Sequence, residues 1–173
     1  MAGADITGEI EMAVLPVSEY PDPVLRESAK SVEKFDDELK ALIEDMWETM
    51  KEYDGVGLAA PQVGVSRRIA VIAWKDKRYV LINPRIVESD GEEVQEEGCL
   101  SAPGFYEEVT RPSRIVVEAL DEGGNPQRIE EEGFMARALA HEIDHLEGHL
   151  FFDHLSAIKR QMIKRKLQKR RKE

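Results

Sequence analysis

The sequence predicts an α+β fold in a single domain spanning residues 1–173. Three observations carry that prediction: an amphipathic helical repeat near the start, short β-branched runs between turn residues in the middle, and two helical stretches at the end. Helix, antiparallel strands, then helices is the order of an α+β domain rather than of alternating βαβ units. No internal repeat or linker-like stretch divides it.

Residues 1–22 read as an extended lead-in, because Pro16, Pro21 and Pro23 break any helix. Asp36 then has the chemistry of an N-cap. Behind it Leu39, Leu42, Ile43, Met46, Trp47, Met50 and Tyr53 recur at steps of three and four, and Gly55 is expected to close the helix. Arg68–Trp74 and Arg78–Ile82 are short and β-branched, so both are expected as strands joined by a turn at Lys75–Lys77. Asn83-Pro84 and Asp90-Gly91 punctuate the stretch after the second strand. A further strand at Arg114–Leu120 runs into the turn 121–126, with Gln127–Glu131 pairing back. From Gly133 to about Glu147 the pattern is helical, with Phe134, Ala138, Leu139, Ile143 and Leu146 apolar and Gly148 at the stop. A last helix, 156–173, places Ile158, Met162, Ile163 and Leu167 on one side and bases elsewhere.

Composition narrows the function classes. The chain is 42% hydrophobic and 34% charged, which suits a folded globular domain and not global disorder. No apolar run approaches the roughly 20 residues of a membrane-spanning helix. Met1–Met12 holds Asp5, Glu9 and Glu11 and no base, unlike a secretory signal or an Arg-rich transit peptide. A lone cysteine, Cys99, cannot form an internal disulfide, so a cytoplasmic location is expected. The net charge of −11 is uneven: from Lys159 onward nine bases stand against Glu173 alone, leaving −19 on the first 158 residues. An acidic body repels nucleic acid while a short basic tail is a handle for it; equally, the tail is a solvated terminal helix.

His141-Glu142-Ile143-Asp144-His145 is the first motif with chemistry in it. Histidines four apart on a helix lie one above the other, about 6 Å along the axis. Both rings can then reach one divalent ion, while Glu142 addresses a water held by it. The bland alternative is two exposed histidines with a solvated glutamate between them. It is weakened because Ile143 and Leu146 flank the motif and all four histidines lie between residues 141 and 154. A third ligand is needed. Phe151 stands where a metzincin would carry its third histidine, and the only glutamate after Glu147 is Glu173. His149 reaches the same ion only if the helix continues past Gly148. The third ligand is therefore expected upstream.

Upstream, Cys99 lies in Glu96-Glu97-Gly98-Cys99-Leu100-Ser101. A lone cysteine is often a small buried hydrophobe. Here it follows a glycine and precedes Pro103-Gly104, and with the two imidazoles it would complete a Cys-His-His set with one open position. A nucleophilic Cys–His pair is also open, but leaves the HExxH spacing unused. The third segment is Gly55-Val56-Gly57-Leu58-Ala59-Ala60-Pro61-Gln62-Val63-Gly64. It matches neither phosphate-loop nor dinucleotide fingerprints and could simply pack closely after a helix. Gln62, a neutral amide among apolar residues, could aim its N–H₂ at developing oxyanion charge.

Together, GVGLAAPQ at 55–62, EEGCLS at 96–101 and HEIDHLEG at 141–148 closely resemble the peptide deformylase family in residues, order and spacing. The likeness runs from Tyr20-Pro21-Asp22-Pro23-Val24-Leu25-Arg26 to the final helix. It implies antiparallel β-sheets packed around a central metal-binding HExxH helix, and hydrolytic removal of formyl from the N-terminal formylmethionine of new polypeptides. It also implies Cys99, His141 and His145 as metal ligands and Glu142 as general acid/base. Gln62 and the Leu100 N–H would form the oxyanion hole. Val56, Gly57 and Gly98 would clasp the substrate backbone as an added strand. Val56, Phe134, Arg137, Ala138 and His141 would line the methionine pocket, Arg137 through its aliphatic stem only with its charge in water.

The resemblance implies Fe²⁺, with Zn²⁺ second, since thiolate and imidazole suit both ions. It implies a monomer acting on N-formylmethionyl peptides, docked near the ribosomal exit tunnel through the basic C-terminal helix. Two features depart from the family pattern: Ala140, where many members carry glutamine, and the loop Pro103-Gly104-Phe105-Tyr106. Residues 1–15 are expected to be an acidic, flexible arm without an assigned role. An HExxH metallo-endopeptidase and a ribosome- or RNA-binding protein with a structural metal are the rival readings.

Overall fold

The computed structural model describes residues 13–172. Helix α1 spans Asp37–Glu52, and the Asp36 carboxylate accepts the Leu39 N–H at 3.0 Å as its N-cap. The helix ends at Glu52, and the left-handed residue beyond it is Asp54 (φ 53) rather than Gly55. Next in the chain comes a five-stranded antiparallel sheet, built from β1 (Gly57–Ala59), β2 (Ile69–Trp74), β3 (Lys77–Asp90), β6 (Arg114–Leu120) and β7 (Pro126–Glu132), in the order β1-β2-β3-β6-β7. The hairpin of β4 (Glu93–Gly98) and β5 (Tyr106–Arg111) stands apart as a second sheet.

Strand β2 shows why the core has two layers. Its alternate residues point to opposite faces. Ile69 and Val71 pack with Leu39, Ile43 and Met46 of α1, while Ala70 and Ile72 pack with Leu139, Ile143 and Leu146 of α2 (Gly133–Leu146). The sheet is thus covered by a helix on each face, and α2 is the better buried of the two. A third cluster joins Val109 of β5 to Phe151 and Phe152, covered by Ile163 and Leu167 of α3 (Ala157–Lys172).

Several expectations are revised. The strand expected at Arg78–Ile82 runs from Lys77 to Asp90: Asn83-Pro84 makes a bulge, not a break. Asn83 takes φ 51, and its side chain accepts the Val32 N–H at 2.8 Å and donates to Val32 O at 3.0 Å. Strands β4 and β5 and the short β1 are not predicted by the sequence pattern, since β4 is polar and acidic and β1 lies in a run of small residues. On α3 the expected apolar side splits. Ile163 and Leu167 are buried, but Ile158 is 84% exposed and Met162 lies at the surface, because only the first pair reaches the phenylalanine cluster. Part of the expected arm is anchored: Ala13 N–H donates to Asp45 Oδ1 and Leu15 N–H to Thr49 Oγ1, each at 2.8 Å. Residues 1–12 of that arm lie outside the described residues. No described helix is long and apolar enough to cross a membrane.

Candidate active site

Strand β7 passes directly into α2 at Gly133, whose positive φ of 61 makes the change of direction. Helix α2 stops at Gly148 (φ 80), where a Cβ would meet Arg26 O at 2.6 Å. That stop leaves the His149 side chain out in solvent, 59% exposed. His141 and His145 instead point inward, toward the strand end that carries Cys99.

The thiol and the two imidazoles converge. Cys99, His141 and His145 each present a ligand atom, all within 4.8 Å of one another. Cys99 Sγ lies 3.3 Å from His145 Nε2, and the two rings are 5.0 Å apart. Gln62 is buried beside them. Its Oε1 accepts the Ala59 N–H at 3.0 Å, which turns Nε2 toward Cys99 Sγ (3.6 Å) and Ser101 Oγ (3.2 Å). Val56, Gly57, Gln62, Gly98, Cys99, Leu100, Phe134, Arg137, Ala138, His141 and Glu142 all line one cleft of about 620 Å³. His145 lies behind this wall, almost completely buried.

Two strand edges border the cleft. Gly57 belongs to β1, the edge of the large sheet, and Gly98 ends β4, the edge of the small one. Both positions need glycine for space: a Cβ on Gly57 would lie 2.5 Å from Glu142 Oε2, and one on Gly98 would lie 2.5 Å from Tyr106 Cε1. Phe134 stacks on Trp74, ring centres 4.7 Å apart, at the outer end of the helix wall.

Arg137 corrects an expectation. Its guanidinium is not in water: it is buried, donating to Glu97 Oε2 at 2.6 Å, Val109 O at 2.8 Å and Glu93 O at 2.7 Å. The cause is Glu97, a residue that the sequence pattern passes over. Arg111 grips both Glu97 oxygens at 2.8 and 2.9 Å, and His141 Nδ1 lies 2.8 Å from Oε1. Arg111 also reaches Asp144 at 2.6 Å, and Asp144 in turn meets His154 at 2.8 Å. Nothing in the spacing of Glu97 and Arg111 signals this cluster; the only hint is an acidic residue two places before the cysteine.

The electrostatics arise from that cluster. Burial pushes the Glu97 carboxyl up, but hydrogen bonds from Arg111 and His141 outweigh it and hold the group well below the usual carboxylate range. Burial likewise opposes the Cys99 thiolate, yet the two imidazoles bring its pKa well below that of an ordinary thiol. Burial raises Glu142, which suits a carboxylate that must take and return a proton.

The donor set fits a divalent transition metal. One thiolate and two imidazoles would hold such an ion at the cleft wall that Cys99 and His141 line, with a coordination position left for water. Among the described residues, the buried Glu142 Oε1 and His145 Nδ1 have no hydrogen-bond partner. An unpartnered carboxylate oxygen beside that position is the group that would meet a polarised water.

This α+β fold, with a Cys-His-His group that could hold a metal ion beside a buried glutamate, fits the class of metallohydrolases. The family model described as polypeptide deformylase matches residues 14–161, and the chain belongs to that family. The peptide deformylase of Teredinibacter turnerae is 51% identical over 166 residues, covering 94% of this chain and 99% of the relative. That of Chromobacterium violaceum is 50% identical over 165 residues, covering 94% and 99%. The crystal structure of a peptide deformylase from Legionella pneumophila superposes with a TM-score of 0.87 at 50% identity, covering 92% of this chain and 96% of that one. The Ehrlichia chaffeensis enzyme in complex with actinonin gives 0.88 at 41% identity, covering 92% and 98%.

Proposed function

We propose that the chain hydrolyses the formyl group from the N-terminal formylmethionine of nascent polypeptides, releasing formate and a free amine. The observation that carries this is the position of Glu142. Its carboxylate lies at the shared border of the Cys99-His141-His145 cluster and the β1 edge, where a peptide paired with that edge would present its end.

Cys99, His141 and His145 would hold one divalent ion, Fe²⁺ in the first place and Zn²⁺ in the second. When bound, such an ion supplies Lewis-acid polarisation, making water nucleophilic near neutral pH and drawing charge from a carbonyl oxygen. The protein's own part is then specific. Glu142 accepts a proton as the water oxygen bonds to the formyl carbon. The Gln62 N–H₂ and the Leu100 N–H donate to the formyl oxygen as it gains charge. Glu142 returns the proton to the nitrogen as the C–N bond breaks, which balances the hydrolysis. Backbone groups of Val56, Gly57 and Gly98 pair with the peptide, while Phe134, Ala138 and the stem of Arg137 receive the methionine side chain.

Formyl is the smallest acyl group, so a cramped space beside Glu142 would accept it and turn away acetyl. A polar, tightly packed site that excludes a methyl is how hydrolases separate such substrates. In this reading the chain works in the cytoplasm as a monomer, and the basic α3 meets ribosomal RNA near the exit tunnel. The test is formate release from formyl-Met-Ala-Ser by anaerobic protein loaded in parallel with Fe²⁺ or Zn²⁺, with acetyl-Met-Ala-Ser as control. Rapid cleavage of the formyl peptide alone is expected. No release with either ion at one metal per chain would overturn the proposal.

A further inference from the structure

A single turn near the end of α3 grips two separate segments of the cleft wall. Arg170 Nη1 donates to Pro103 O at 2.6 Å, and its guanidinium lies 4.9 Å from the centre of the Phe105 ring. Arg171 Nη1 donates to Glu19 O at 3.2 Å, and Gln168 Nε2 to the Tyr20 hydroxyl at 3.4 Å. Pro103 and Glu19 both line the cleft that holds Cys99 and Glu142. The turn is itself fixed in place, because Ile163 and Leu167 are buried on Phe151 and Phe152.

These contacts add an outer hold to a wall that is anchored from inside by Ala102 and Phe105, which pack on the Phe151-Phe152 cluster. Within the loop, Phe105 N–H reaches Ala102 O at a long 3.4 Å, and Gly104 takes a left-handed φ of 84. A charged donor on a carbonyl is stronger than a neutral one, and the cation over Phe105 adds to it. The lead-in is tied to the catalytic face from the other side: Ser18 N–H donates to Gln62 O at 2.6 Å and Tyr20 N–H to Ser101 O at 2.9 Å. Glu19 O, between them, accepts from the Asp22 N–H at 2.9 Å and takes Arg171 as a second, charged donor. In the deformylase reading the α2 wall with Phe134 and Ala138 takes the methionine side chain, which leaves the Glu19 and Pro103 side of the cleft for the residues that follow it.

We propose that Arg170 and Arg171 are positioning residues for the substrate: the basic helix shapes the wall that holds peptide residues beyond the formylated methionine. This rests on the deformylase reading and adds a second role to a helix otherwise read as a docking handle. It makes α3 a determinant of how tightly longer peptides bind, acting through Pro103 and Glu19 without touching the reacting atoms.

The experiment uses the full-length, metal-loaded chain as wild type, as Arg170→Met with Arg171→Met, and as Arg170→Lys with Arg171→Lys. Two substrates are compared: N-formylmethionine amide, which ends at the methionine, and formyl-Met-Ala-Ser. The methionine variant should raise KM for the tripeptide about fivefold, the scale of one ordinary net hydrogen bond because the arginines act on the substrate only through the wall, with kcat within about twofold. The amide should be unaffected, and the lysine variant should recover most of the loss. Unchanged KM for the tripeptide would overturn the proposal, as would equal losses on both substrates. Absence of formate from both substrates with wild type would overturn the deformylase reading and this inference with it.

Discussion

His141 Nδ1 lies 2.8 Å from Glu97 Oε1, and this bond decides which nitrogen of the ring faces the cleft. A proton on Nδ1 leaves the lone pair of Nε2 free to bind a metal. Glu97 is itself held by Arg111 and Arg137, so the orientation of the imidazole is set by three buried groups. Glu97→Gln keeps an acceptor for the ring but weakens both arginine contacts. Metal retention, measured by competition with a chelator, should fall by about 10- to 100-fold, the usual cost of losing an outer partner of a metal-bound histidine. Retention equal to wild type would remove Glu97 from this role.

Gly57 tests the border between strand and carboxylate. The Cβ of Gly57→Ala would stand 2.5 Å from Glu142 Oε2, so the carboxylate must move. Misplacement of a catalytic group by about 1 Å costs on the order of 100-fold in rate. The variant should lose activity to about that extent while binding a full equivalent of metal, as read by kcat and metal analysis together.

Removal of the metal should expose the thiolate. With the imidazoles holding Cys99 below the usual thiol range, the metal-free protein should be alkylated by iodoacetamide at pH 7 faster than a free thiol. One equivalent of Zn²⁺ should suppress the reaction. Mass spectrometry of the Cys99 peptide reads both rates.

The HExxH motif is legible from its spacing alone, and the physical reason is local. His141, Glu142 and His145 lie within one helical turn, so their spacing encodes their geometry. Asp36, Gly148 and the short β-branched run of β2 are equally local signals. Strand β4 is not legible, because it is polar, acidic and largely exposed, and is held by its pairing with β5. The same holds for Glu97, whose role depends on Arg111 and Arg137 arriving from other elements, and this is why the sequence alone puts the Arg137 charge in water. Asn83-Pro84 misleads because a bulge and a chain break use the same residues.

The Arg26–Asp153 pair gives a pH dependence. Arg26 holds Asp153 at 2.5 and 3.1 Å, joining the start of the domain to the segment after α2. Burial raises the Asp153 carboxyl, but the bonds from Arg26 and the Leu150 N–H bring it below its ordinary value. A carboxyl whose folded value is depressed contributes stability that is fully present above its unfolded pKa of about 3.9 and lost as pH falls through the folded value. Arg26→Met should therefore lower the melting temperature at pH 7, by the equivalent of about 1 kcal/mol for a partly exposed pair. The difference from wild type should shrink as the pH is taken down to about 2.5, below the ordinary carboxylate range, leaving the part due to the Gly148 carbonyl and the Tyr20 and Phe152 rings, which does not titrate. Thermal melts at the two pH values measure it.

The most direct test of the central claim is formate release from formyl-Met-Ala-Ser by wild type and by Glu142→Ala, each carrying one Fe²⁺ per chain. Wild type should turn over rapidly. The variant should keep its metal and lose at least about 100-fold in kcat, the lower end of what a general acid/base supplies. Turnover by the metal-loaded variant at the wild-type rate would contradict the account, because proton transfer would then not pass through Glu142.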